Sequence, residues 1–173
     1  MKSPTFHLTF LSLFFSFVFS SAFVQADHHV KGSAPLLHSG DRVALVGGGL
    51  IERARLNGYL ESALTLGAGP KVSRLKFRNL GWSGDTVFND ARSYFGKPKE
   101  GRERLKKIIA EWKPSVVLLN YGAEVALSSG RSWTDESTAS KRSAGSWDES
   151  VAVFLEGYGK MLEEIRKEAG DDL

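Results

Sequence analysis

The sequence predicts an α/β fold, a three-layer, doubly wound parallel sheet. Three observations carry that expectation. Apolar runs alternate with segments of helical period in the order strand, helix, strand, helix, strand, helix. The first run, Val43 to Val46, breaks on Gly47-Gly48-Gly49 and restarts as a helix. That junction is where α/β proteins hold phosphates, oxyanions or nucleophiles. The last run, Val116 to Leu119, is continuously apolar, as in a strand covered on both faces.

The elements follow in order. Lys2 precedes an apolar run from Phe6 to Phe23, and Val24-Gln25-Ala26 ends it with a signal-peptidase pattern. Residues 1–26 are therefore expected to be a signal peptide that exports the chain. Ser12, Ser16, Ser20 and Ser21 interrupt the run, which argues against a retained anchor, so no integral membrane segment is expected after cleavage. Residues 27–40 form a polar lead-in with His28, His29 and His38. Adjacent histidines on a terminus are more often solvated than metal-ligating, and no metal is expected.

The domain proper spans 41–173. Leu50 to Leu66 has Leu50, Ala54, Leu60, Ala63 and Leu64 at helical spacing and stops at Gly67-Ala-Gly-Pro70. Val72 to Leu80 holds the second strand. Glu100 to Trp112 is a helix with Leu105, Ile108, Ile109 and Trp112 inward, ended by Pro114. Ser115 to Asn120 is the third strand. Residues 128–145, rich in Ser, Thr, Gly, Lys and Arg, read as a flexible insertion. Ser146-Trp-Asp-Glu149 is a capping box. It opens a helix with Phe154, Leu155, Tyr158, Met161, Leu162 and Ile165 inward, Gly157 and Gly159 being weak points. Only Asp171-Asp-Leu173 follows. A three-stranded sheet is small for this architecture, so the C-terminal part of the domain is expected to be absent.

Composition narrows the function. The 173 residues carry a formal charge of +3 and no Cys, which excludes disulfides and thiolate chemistry. Acids and bases interleave, as in Glu163-Glu164-Ile165-Arg166-Lys167-Glu168, so no nucleic-acid partner is expected. A dinucleotide cofactor would want a small residue at position 52. Glu52 stands there, and no cofactor is expected.

Ligands in such sheets bind beyond the carboxyl ends of the strands. Three loops are expected there: Gly47 to Gly49, Gly81-Trp-Ser-Gly-Asp-Thr86, and Tyr121-Gly122-Ala123-Glu124. Together they resemble the three leading blocks of the SGNH hydrolases, the GDSL esterases and lipases. The stretch Arg78-Asn-Leu-Gly-Trp-Ser-Gly-Asp-Thr-Val87 looks close to a secreted bacterial branch. The resemblance covers Gly40 to about Ile165. It implies a flavodoxin-like domain and hydrolysis of ester bonds, acyl esters on carbohydrate among them. It also implies a small-molecule or carbohydrate ester ligand. Gly49 then stands at the nucleophile, Gly84 at an oxyanion donor, and Glu124 where the family has an oxyanion-binding Asn.

The departures bear on function. Gly49 has no hydroxyl. An ionised Glu124 only accepts hydrogen bonds and would repel an oxyanion. The family's Asp-x-x-His block is not in the chain, and after the leader the histidines all precede the first strand. The resemblance therefore implies an esterase-like domain without nucleophile or base; a non-catalytic ligand- or partner-binding module of a larger exported protein is the alternative. Gly48, Trp82, Ser83, Asp85 and Gly122 are the other pocket candidates. Asp85 and Thr86 could cap the next segment or face a ligand. Trp82 could be core, rim or a stacking surface for a sugar. Ser83 has no evident base.

Overall fold

The computed structural model describes residues 36–94, 96–123, 125, 146–170 and 173. Residues 1–26, expected to be a signal peptide, the lead-in before residue 36, Glu124 and residues 128–145, expected to be an insertion, lie outside the described residues. Strand β1 (Arg42–Gly47) pairs in parallel with β2 (Lys76–Gly81) on one side and β3 (Val116–Asn120) on the other. Helices α1 (Gly49–Ala54) and α2 (Tyr59–Ala68) connect β1 to β2, and α3 (Pro98–Trp112) connects β2 to β3. Helix α4 (Trp147–Ala169) comes last.

The two crossovers run in opposite directions from the centre of the sheet. Crossovers of one hand must then cover opposite faces. The side chains pack that way. Strand residues alternate between faces. Val43 and Leu45 point to a cluster with Leu37 and Ile51, flanked by Leu60 and Leu64. Ala44 and Val46 point to the other cluster, with Leu105 and Ile109 of α3 and Met161 and Ile165 of α4. Burying each such large side chain contributes about 1.5–3 kcal/mol. The chain is thus α/β, with helices on both faces of a three-stranded parallel sheet.

Five details differ from the sequence expectation. The helix expected over 50–66 is two helices. Gly58 adopts φ 63°, a left-handed conformation that ends the first helical run and starts a new one. β2 begins at Lys76 rather than near Val72, because Arg74 at φ 59° interrupts extended backbone. β3 is only half-buried. It lies at a sheet edge and pairs only with β1 among the described residues, so its apolar run is covered less than a central strand would be. Within α4, Gly157 is a contact point rather than a weak one. A Cβ there would meet Val87 Cγ2 at 2.9 Å and Phe88 at 3.2 Å. Leu155, expected inward, is 60% exposed.

The amino end of the sheet is tied together by polar groups. Ser115 Oγ donates to Asp41 Oδ1 at 2.8 Å and accepts from Arg42 N at 3.0 Å. The His38 backbone N–H donates to Asp41 Oδ2 at 2.6 Å, so His38 is held at this end. At the N-terminus of α4, Ser146 Oγ accepts from Glu149 N at 3.1 Å, the capping contact the sequence announces. No helix among the described residues is long and apolar enough to cross a membrane.

Candidate functional site

Gly47 pairs with Gly81 on one side and Asn120 on the other, so the three strands end level. The loops carrying Gly49, Ser83 and Gly122 leave from this one edge, as the sequence order requires.

The glycines at this edge are not equivalent. A Cβ on Gly47 would lie 2.5 Å from Asn120 O and 2.6 Å from Ile51 Cγ1. A Cβ on Gly81 would lie 2.5 Å from the Ile51 carbonyl carbon and collide with the Glu52 backbone nitrogen. Both are bare because α1 sits directly on the ends of β1 and β2. Gly49 differs. Its φ is ordinary, and a Cβ there would make one normal contact, 3.6 Å from Ser83 Oγ. Packing leaves room for a side chain at position 49, and the sequence supplies none. Gly48, the buried residue before α1, has φ −81° and contributes backbone only.

Ser83 is not isolated. Its hydroxyl donates to Glu52 Oε2, and the Ser83 hydroxyl lies beside Gly49. A carboxylate acceptor makes such a bond stronger than a neutral pair. Glu52 is in the first turn of α1, three residues after Gly49, which turns it to the same side. The sequence reading used Glu52 only to reject a dinucleotide site. Its spacing from Gly49 was the available signal.

Asn79 fixes this geometry. Its Nδ2 donates to Ile51 O at 2.7 Å, and its Oδ1 accepts from Gly81 N at 2.9 Å, clasping α1 to β2. Asn79→Ala strands two backbone groups and is expected to cost about 1–3 kcal/mol, measured as a lower urea midpoint. An unchanged midpoint would show that water replaces the clasp.

Asp85 faces the interior. It is fully buried, and its Oδ2 accepts from Arg92 Nε at 2.6 Å, Tyr121 Oη at 2.8 Å and Asn89 Nδ2 at 3.2 Å. Arg92 Nη2 also donates to Leu80 O at 2.5 Å. Burial pushes the Asp85 carboxyl above its ordinary range, against the pull of Arg92 and the three donors. On Arg92 burial works against the charge, but Asp85 and Tyr121 outweigh it and the pKa rises. Burial, with the Asp85 charge, also raises the Tyr121 phenol, which stays a donor. The network ties the second loop to the third from below. Thr86 closes a local turn instead of facing a ligand: its hydroxyl accepts from Phe88 N at 3.1 Å and donates to Asp90 Oδ2 at 2.7 Å.

The other candidates divide. Gly84 is exposed at φ 75°, and Gly122 at φ 137° has only the Phe154 ring 4.0 Å from a notional Cβ. Both are backbone positions that a larger residue would strain. Trp82 is a rim residue. It lines a cleft of about 370 Å³ with Glu52, Asn79 and Arg92, and a second of about 330 Å³ with Tyr94, Arg104 and Ile108. His38 lies at the opposite end of the sheet, so no imidazole among the described residues reaches Ser83. The described residues also contain no metal-binding group of three or more His, Cys, Asp or Glu.

Arg92, Tyr121, Tyr94 and Arg104 were not marked by sequence reasoning. Arg92 follows Asp85 by seven residues, which would share a face in a helix, but the two meet here through a turn that the spacing does not reveal. Compared with protein-family models, curated proteins and solved structures, the chain matches none.

Proposed function

We propose that this is an exported, SGNH-type esterase-like domain that binds a hydroxyl-rich, carbohydrate-class ligand without hydrolysing it. The Ser83–Glu52 hydrogen bond beside Gly49 carries this reading. A serine hydroxyl that donates its hydrogen bond to a carboxylate keeps its lone pairs for other donors, and the carboxylate adds further acceptors. Sugar hydroxyls donate to such a surface, whereas a developing oxyanion is repelled by it. Serine activation in a triad is the work of an imidazole base, and among the described residues no imidazole reaches Ser83. Export rests on the apolar run from Phe6 to Phe23 and the Ala26 boundary. A secreted product whose mass begins at Asp27 is the expected result.

The purified chain is expected to leave p-nitrophenyl acetate at its background rate. Gly49→Ser is expected to keep the parent's stability within about 0.5 kcal/mol, since the site has room, and to remain inactive without a base. Free and acetylated glucose should perturb NMR signals around Ser83, and Glu52→Gln should weaken both titrations. Ester turnover by the parent chain that disappears in Ser83→Ala would overturn the binding reading and make Ser83 and Glu52 a working pair.

A further inference from the structure

The second cleft has a chemistry unlike that of the Ser83 surface. Trp82, Tyr94, Leu105 and Ile108 give it an aromatic and aliphatic part, and Arg92, Arg104, Lys107 and Glu111 line the rest. Trp82 and Tyr94 meet edge to face, with centroids 5.2 Å apart and planes at 84°. The Arg104 guanidinium lies over the Tyr94 ring, 4.4 Å from its centroid. Tyr94 is 55% exposed, an unusual degree for a ring so placed.

The guanidinium over the ring is the informative group. Among the described residues Arg104 has no carboxylate partner, whereas Lys106 pairs with Glu103 at 3.0 Å and Lys107 faces Glu111 at 3.9 Å. A guanidinium held over a ring face by cation–π attraction keeps N–H groups along its edge available to donate. That edge matches a carboxylate in two parallel hydrogen bonds. Arg92, at the cleft floor, already donates to Asp85 and Leu80 and does not compete. Lys107, one turn along α3 from Arg104, lines the same cleft together with Glu111, which it faces, so the cation left to meet an anion there is Arg104.

We propose that this cleft binds a small planar anion, an aromatic or conjugated carboxylate. The ring lies against Trp82 and Tyr94, and the carboxylate meets the edge of Arg104. The volume, about 330 Å³, is at the low end of small-molecule sites and suits one ring rather than an oligosaccharide. An acidic sugar would need partners for each hydroxyl, and the aliphatic walls offer few. The proposal stands apart from the Ser83–Glu52 reading, because Arg104 and Tyr94 take no part in that surface.

Calorimetric titration of the full chain with cinnamate, cinnamyl alcohol and glucuronate tests it. Cinnamate is expected to bind with a dissociation constant of about 1 mM or tighter, and the alcohol at least ~10-fold more weakly, the charged group carrying the difference. Arg104→Gln, an exposed substitution, and Tyr94→Leu should each weaken cinnamate ~10-fold or more. Added salt should weaken it too, since Arg104 is solvent-facing. Glu52→Gln should leave it unchanged, which separates this cleft from the sugar surface. No cinnamate binding, equal affinity for the alcohol, indifference to Arg104→Gln, or glucuronate binding more tightly than cinnamate would each overturn the proposal.

Discussion

Asp85→Ala is expected to lower the unfolding free energy by about 3–5 kcal/mol, read from urea denaturation. The magnitude comes from what is left behind. Arg92 is 4% exposed, and without Asp85 its charge stays in the interior with no carboxylate beside it, only neutral oxygens such as Leu80 O and the Tyr121 hydroxyl among the described residues. Tyr121 Oη loses its acceptor at the same time. Arg92→Leu strands the opposite charge and is expected to cost a similar amount. The double variant Asp85→Ala, Arg92→Leu should cost well under the sum of the two, because neither charge remains to be stranded. Additive losses would mean that the two side chains act separately.

The same pair gives the pH dependence. A guanidinium keeps its proton in proteins, so the pair titrates through Asp85. Burial raises the folded-state pKa of Asp85 above its unfolded value. The folded protein therefore holds that proton more tightly. The associated stability is fully present below the unfolded carboxylate value of about 3.9 and is lost as pH rises through the raised folded value. In Asp85→Asn this titration is gone. The stability of the parent chain relative to Asp85→Asn should therefore decline as pH rises across that window. A difference that grows with pH would show that ion pairing outweighs burial at Asp85.

Local sequence signals announced the scaffold better than they announced the site. The break of Val43 to Val46 on glycine, the helix stopped by Pro114 and the Ser146 cap are short-range facts, and each element formed where its residues placed it. Elements went astray where one backbone angle decided them, as at Gly58 and Arg74. The edge position of β3 depends on what pairs beyond it, which an apolar run does not record. At the site, spacing along the chain put three loops on one sheet edge. It did not reveal that Asp85 turns inward to Arg92 or that Glu52 reaches Ser83. Those contacts join residues seven and thirty-one positions apart through the shape of a loop.

Gly81→Ala is expected to cost at least about 3 kcal/mol, the upper end of what overpacking a well-filled site costs. A new Cβ there overlaps the Glu52 nitrogen and comes within 2.6 Å of the Glu52 Cα. These are backbone atoms at the start of a helix, and no rotamer change removes them. Helix α1 has to lift off β2, which pulls Ile51 O away from Asn79 and Glu52 away from Ser83. Urea denaturation gives the cost. Loss of amide protection confined to 49–54 identifies the element that moved. Gly47→Ala should behave similarly, being crowded by Asn120 O and Ile51 Cγ1. Gly49→Ala should be neutral or gain up to about 1 kcal/mol, since its backbone suits alanine and the unfolded chain loses freedom. If Gly81→Ala keeps the parent's stability, α1 does not rest on the strand ends and the Ser83–Glu52 geometry fails with it. If the ordering holds, the first glycine of the run is bare because the fold requires it. The third is bare for another reason, and a missing side chain at position 49 is then a property of the site rather than of its packing.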